Sequence, residues 1–276
     1  MTREDCEWVA EICATRVGLR VDPEKTYFIE SRLAPAARRE NFSSVEDLIT
    51  FVRRTNDDRM GWAIIEAMAA NESSFFRDRT PFECFKNEIL PALIQARGHS
   101  PLRVWSAGCG TGQEIYSLAM IVDDVFAKLP PGAQIQLFGS DLSDRAMEKA
   151  QSGYYNHFEV QRGLPIRQLV RNFQKSDDMW VLRAHIREMV RWRRLNLIVD
   201  QTAPGGFDVI FCRNVICNMT PVARQKTLEG LAHALSADGF LFLGDGESPQ
   251  ALGGAFHAVA DRPGLYARNP AFRLAA

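Results

Sequence analysis

A glycine-rich turn, Gly108-Cys109-Gly110-Thr111-Gly112, follows the apolar run Leu102-Arg103-Val104-Trp105. It precedes a helical pattern through Ile115, Leu118, Ala119, Ile121 and Val122. Without Cβ atoms, Gly108 and Gly110 let backbone approach a ligand closely, and a helix start offers free N–H groups. The next apolar run, Ile135 to Ser140, ends in Asp141. A carboxylate there can accept both ribose hydroxyls of an adenosine cofactor; its other use would be to cap the helix that follows. No Lys-Ser/Thr pair follows the turn, which argues against a triphosphate. Glu114 opens the helix instead, and an acid suits a cationic group better than a phosphate. S-adenosylmethionine carries an ammonium, a ribose diol and no phosphate, so it meets all three conditions.

These residues need a scaffold of strands and helices. Phe207 to Cys212 reads as a strand, Val222 to Leu235 as a helix, and Gly239 to Leu243 and Gly264 to Ala267 as late strands. Such alternation predicts a mostly parallel, doubly covered α/β sheet, with the ligand beyond the carboxyl ends of its strands. Residues 1 to about 70 read instead as short helices. Asp22-Pro23 reads as a helix start, and Ser43-x-x-Glu46 has capping-box spacing. Val45, Leu48, Ile49 and Val52 then recur at helical intervals.

Composition narrows the class. The chain has 276 residues, 46% hydrophobic and 24% charged, with a net charge of −1. That is ordinary for a packed soluble protein, and it excludes disordered, collagenous and general polyanion-binding classes. The absence of a long apolar run or a secretion signal leads to the expectation of a cytoplasmic protein with no membrane insertion. Six cysteines without a Cys-x-x-Cys pair, and five scattered histidines, predict free buried thiols and no metal site. The first seventy residues hold ten Lys+Arg against thirteen Asp+Glu; Arg32, Arg38 and Arg39 on one predicted helix are either a solvated face or a docking surface. The stretch 153–194 is the opposite, with nine Lys+Arg against four Asp+Glu. Within it Met179 to Leu182 reads as a strand, with Met189 to Trp192 as its possible partner. Receptor docking, a solvated surface, or base stacking on Trp180 or Trp192 are the uses open to it.

Asn71-Glu72-Ser73-Ser74-Phe75-Phe76-Arg77-Asp78, the glycine turn, Asp141, Asn196-Leu197 and Phe207-Asp208-Val209-Ile210-Phe211-Cys212-Arg213-Asn214-Val215 occur in this order. Together they resemble the CheR-type chemotaxis receptor methyltransferases. The resemblance implies an all-helical N-terminal domain (1–74) and a class I, Rossmann-like methyltransferase domain (75–276). A small antiparallel β-subdomain would be inserted near 154–193. It implies methyl transfer from S-adenosyl-L-methionine, leaving S-adenosyl-L-homocysteine, to glutamates in the cytoplasmic domain of a transmembrane or soluble chemoreceptor. No nucleic acid partner is expected. By position, Asn71, Ser73, Arg77, Gly108, Glu114, Asp141, Asn196, Leu197, Arg213 and Asn214 would line the cofactor site. Arg77 and Asn218 would serve the reaction, Asn218 standing where the family has a tyrosine. Gly112-Gln113-Glu114-Ile115 and Gly244-Asp245-Gly246-Glu247 also depart from the family pattern. Methylation of a non-chemotaxis acceptor, and a cofactor-binding signalling module without turnover, are the alternatives.

Overall fold

The structure, a computed structural model, describes residues 1–69, 72–127, 129–199 and 205–272. The chain divides into two compact units, Met1–Asn71 with Cys217–Lys226, and Glu72–Ile216 with Thr227–Ala276. The helical N-terminal segment forms the first unit, and a short later stretch, 217–226, groups with it.

Four helices build the first unit: α1 (Arg3–Val17), α2 (Thr26–Arg39), α3 (Val45–Thr55) and α4 (Asp58–Ala69). Each buries a stripe at helical spacing, such as Cys6, Val9 and Cys13 on α1 or Leu48, Ile49 and Val52 on α3. α4 packs against the other three. Two local expectations are corrected. Ser44, not Ser43, caps α3, because it is Ser44 that takes extended backbone and accepts from the Asp47 N–H at 3.0 Å. Asp22-Pro23 makes a turn rather than a helix start. Its carboxylate accepts from the Glu24 N–H, its carbonyl accepts from the Lys25 N–H, and α2 begins only at Thr26. An aspartate reaching two residues forward competes with a helix in this way. Residues 217–226 join the unit through an antiparallel bridge, Leu19 to Met219, flanked by Arg20 N–H to Asn218 carbonyl and Thr220 N–H to Gly18 carbonyl, both 2.8 Å.

The second unit holds ten strands among its described residues. These are β1 (Leu102–Ala107), β2 (Ile135–Asp141), β3 (Tyr154–Asn156), β4 (Phe173–Ser176), β5 (Met179–Leu182), β6 (Val190–Arg194), β7 (Phe207–Cys212), β8 (Leu235–Leu243), β9 (Phe256–Ala258) and β10 (Leu265–Arg268). Seven form one sheet in the order β6-β2-β1-β7-β8-β10-β9, with parallel pairing from β6 to β8 and antiparallel pairing of β10 and β9. Every residue of β7 is buried, as a central parallel strand covered on both faces requires. Phe211 of β7 stacks on Phe242 of β8, with ring centroids 4.3 Å apart, and Phe82 and Phe85 close over Phe211. These two come from a helical run made of α5 (Thr80–Cys84), a π turn (Phe85–Ile89) and α6 (Leu90–Arg97). The strand order reverses at β1, whose next strand β2 lies on one side and β7 on the other. Ligands bind in the crevice that such a reversal opens.

β3, β5 and β4 form a separate antiparallel sheet with β5 in the centre. The expected pairing of Met189–Trp192 with Met179–Leu182 is therefore wrong. β6 runs parallel to β2 at the edge of the large sheet. Its Trp192 lies so close over Gly139 of β2 that a Cβ there would stand 2.7 Å from the indole, a fit available only in the large sheet. All six cysteines are free; five are buried as expected, and Cys217 is half-buried.

At the end of the sheet away from the glycine turn, Arg97 donates to Asp208 at 2.6 Å and, with both terminal nitrogens, to Asp238 at 2.7 Å. Asp208 is buried and also accepts from the Arg103 N–H at 2.8 Å. Truncating Arg97 to Met would leave a buried carboxylate without its cation, a change expected to cost about 3 kcal/mol. Urea unfolding of the Arg97→Met variant checks this, and a loss below about 1 kcal/mol would contradict it.

Candidate active site

The chain leaves β1 directly into the glycine turn. The N–H groups of Gly108 and Cys109 both donate to the Ser140 carbonyl at 2.9 Å, stitching the turn to the end of β2. Gly108 has φ +75°, and a Cβ there would stand 2.6 Å from Val215 Cγ2, so both backbone and space demand glycine. The turn leads into α7 (Gln113–Phe126), most of which is buried.

Asp141 ends β2 beside this turn. Its Oδ2 accepts from the Gly110 N–H at 2.8 Å and its Oδ1 from the Ser143 N–H at 3.0 Å. The cap of α8 (Asp144–Ser152) is Ser143, whose hydroxyl accepts from the Ala146 N–H, which removes the helix-capping role considered for Asp141. The Leu195 N–H donates to the Asp141 carbonyl at 3.0 Å, bringing Asn196 and Leu197 alongside. Asn196 folds a tight turn there, its side-chain oxygen accepting from the Ile198 N–H at 3.2 Å.

The centre of the site is Arg213, just past β7. Its side chain is 2% exposed, lies over the Phe82 ring, and donates from Nη2 to Asp78 at 2.6 Å. Nη1 stands 3.5 Å from Glu114 Oε2, while Nε and Nη1, both buried, make no hydrogen bond. Buried guanidinium N–H groups without acceptors mark a place for an anion. Glu114 accepts from the Ser106 hydroxyl at 2.8 Å. Burial pushes its carboxyl above the ordinary range, against the pull of Arg213 and Ser106. A nearby ammonium would offset that cost. Carboxylate for Arg213, ammonium for Glu114 and diol for Asp141 are the polar ends of S-adenosylmethionine, and the residues fit it.

The segment 72–79 forms another side. Phe76, Asp78 and Arg79 have φ of +47°, +63° and +40°, three left-handed non-glycine residues within four positions. Each costs on the order of 1 kcal/mol, so the surroundings must hold them. The Phe76 N–H donates at 2.9 Å to the Ser117 hydroxyl, which itself donates to the Gln113 carbonyl of α7 at 2.6 Å. Arg77 is half-buried and donates to the Glu72 carbonyl at 3.2 Å. Ser73 lies by Gly110: a Cβ on that glycine would stand 3.6 Å from the serine Cβ. Asn214, with φ +59°, donates its N–H to Glu247 Oε2 at 2.8 Å, and the same oxygen accepts from the Gly244 N–H at 2.7 Å.

Of the residues expected in the site, the second unit thus gathers Ser73, Gly108, Glu114, Asp141, Asn196, Leu197, Arg213 and Asn214 at the carboxyl ends of its strands, with Arg77 on the adjoining segment. Asn71 lies outside the described residues. Asn218 sits in a short turn (Ile216–Asn218) and, from Cys217 on, the chain belongs to the first unit. Asp78, Ser117 and Glu247 were not expected. Asp78 and Glu247 fall inside quoted motifs; Ser117 is a polar residue amid an apolar helix pattern.

Of the nine basic residues in the stretch 153–194, three form ion pairs within the second unit. Arg171 forks onto Asp123 and Asp124 at 2.6 and 2.7 Å, Arg162 pairs with Glu72 at 2.6 Å, and Arg194 with Asp144 at 2.9 Å. Trp192 packs edge-on against Tyr116, which removes it as a stacking platform.

Comparison with known proteins agrees with this geometry. Residues 71–263 match the family described as CheR methyltransferase, SAM binding domain. The chain is 34% identical over 255 residues to chemotaxis protein methyltransferase 1 of Pseudomonas aeruginosa, covering 91% of this chain and 92% of that one. It is 31% identical over 265 residues to chemotaxis protein methyltransferase 1 of Vibrio cholerae, covering 95% and 94%.

Gly108→Ala should destabilise the fold by roughly 2–3 kcal/mol, combining left-handed strain with overpacking against Val215. Adding Val215→Ala should recover the overpacking part and leave about 1 kcal/mol of strain. A double-mutant cycle by thermal unfolding measures both; strict additivity would contradict the contact.

Proposed function

Because the chain belongs to the CheR methyltransferase family, we propose that it transfers a methyl group from S-adenosylmethionine to glutamate carboxylates of a chemoreceptor. The product is a glutamyl methyl ester. The observation that supports the cofactor side is Arg213, buried beside Glu114 with two nitrogens, Nε and Nη1, that make no hydrogen bond. The acceptor side is supported by the similarity to chemotaxis methyltransferases along nine-tenths of the chain.

Bound S-adenosylmethionine supplies a methyl carbon made electrophilic by its sulfonium. The protein's residues then have three tasks. Arg213 takes the methionine carboxylate, Glu114 the ammonium and Asp141 the ribose diol, while Ser73 and Asn214 line the same pocket and Asn196 and Leu197 meet the adenine. Arg77 orients the incoming glutamate. One N–H of its guanidinium is committed to the Glu72 carbonyl, which fixes the side chain and leaves the rest of the fork for a carboxylate. A glutamate is already ionised at neutral pH, so no general base is needed. Holding nucleophile and methyl carbon in line is the main contribution, and alignment of this kind supplies several kcal/mol.

The test uses radiolabelled S-adenosylmethionine and membranes carrying the cognate receptor. Label released as methanol by mild base supports the ester; base-stable label would point to another acceptor class, and no label to a binding module. Arg77→Ala should remove most of the transfer while S-adenosylhomocysteine still binds.

Glu114 gives a pH dependence. Its raised pKa means the free site holds a proton above the ordinary 4.5. The cofactor's ammonium favours the ionised form, so affinity for S-adenosylhomocysteine should rise as pH climbs through that raised pKa and then level off. In the ligand-free protein the same shift withdraws stability as pH rises through it. Glu114→Gln should abolish the step and weaken binding at neutral pH by about 1.5–3 kcal/mol. Titration calorimetry between acid and neutral pH reads both effects.

A further inference from the structure

The small antiparallel sheet is wired to the reaction site through one tyrosine. Tyr155 of β3 is fully buried, and its hydroxyl donates at 2.7 Å to the carbonyl of Thr111 inside the glycine turn. Its ring meets Phe75 edge-on at 5.0 Å. Phe173 of β4 meets Phe75 at 5.7 Å and Tyr155 at 6.3 Å, closing a triangle of three buried rings. Phe75 is the residue before the strained run Phe76–Arg79. The loop after α9 (His157–Gln161) backs the same residue, since Gly163, at φ +90°, sits so close to the Phe75 carbonyl that no Cβ fits. One side chain thus touches the turn that receives the cofactor and the segment that carries Arg77.

We propose that Tyr155 is a positioning residue for methyl transfer, holding the glycine turn and the Phe75–Asp78 segment in register from the small sheet. Its hydroxyl sets the Thr111 carbonyl, and with it the orientation of the turn. Its ring, through Phe75, sets where Arg77 begins. The inference rests on the reading of Arg77 and the turn given above: the Tyr155 hydroxyl bears on binding through the turn, and the ring contact bears on transfer through Phe75.

Tyr155→Phe keeps the ring triangle and deletes only the hydroxyl. The expected result is a folded protein whose dissociation constant for S-adenosylhomocysteine rises about three- to ten-fold, the range one lost hydrogen bond implies. Phe173→Leu leaves the hydroxyl and loosens the triangle; it should lower kcat with the receptor several-fold and leave that dissociation constant within two-fold of wild type. A purely structural tyrosine would lower the melting temperature without this split. Wild-type affinity and wild-type kcat in folded Tyr155→Phe would overturn the proposal. Hydrogen exchange on the unaltered chain is a second readout that needs no variant. S-adenosylhomocysteine should protect 153–157 and 173–182 together with 106–118, and protection confined to 106–118 would overturn the coupling. Binding and exchange need no acceptor, so failure of the receptor assay alone would count against the glutamate reading and not against Tyr155.

Discussion

A buried positive charge governs this architecture. Moving a guanidinium out of water costs several kcal/mol even after relaxation, and only good geometry from its partners offsets that. Arg213 is held by Asp78 on one side, Glu114 on another and the Phe82 ring beneath. Each partner comes from a different part of the chain, so burying this one charge fixes a strained segment, a helix start and a strand end together. The next residue is held as firmly, because Glu247 collects two backbone N–H groups on one oxygen and keeps Asn214 left-handed. A charge placed this way is preorganised, and its donors need no reorientation.

Around that charge the fold separates rigid from adjustable parts. β1, β2 and β7 are central parallel strands, and the aromatic stack of Phe82, Phe211 and Phe242 leaves them little freedom. The segment from Glu72 to Arg79 makes no regular ladder. It is held through one hydroxyl of α7, two ion pairs and one buried ring. Local strain of this kind persists only where the surroundings over-determine it.

Much of this was legible beforehand, for definite reasons. The sheet could be read because apolar runs bounded by glycine and polar residues have few other uses. The cofactor could be read because Glu114 opens the helix where a phosphate would otherwise sit, and Asp141 ends the next strand where a carboxylate can meet a ribose. The pairing of β6 could not be read, since a short run such as Val190-Arg191-Trp192 fits an edge in either sheet; contact with Gly139, fifty residues away, decides it. Ser43 and Ser44 differ only in backbone angles, and so does a turn at Asp22-Pro23 from a helix start. The bonding of Arg171 escaped for another reason: its acidic partners lie on α7, and charge counted along a window does not see across it. Asp78 was quoted as part of a motif, yet its role as partner of Arg213 depends on a left-handed backbone no pattern announces.

The arginines of β6 have a meaning beyond charge balance. β6 is an outermost strand of the large sheet, and among the described residues one of its backbone edges has no neighbouring strand. Such an edge is a template on which a second polypeptide can add, and long charged side chains there are a common protection. Val190 and Trp192 turn toward the core, while Arg191, Arg193 and Arg194 are exposed along the same short strand. A positive cluster that reads in sequence as an invitation to a partner is, on this strand, also the kind of charge that guards an open edge.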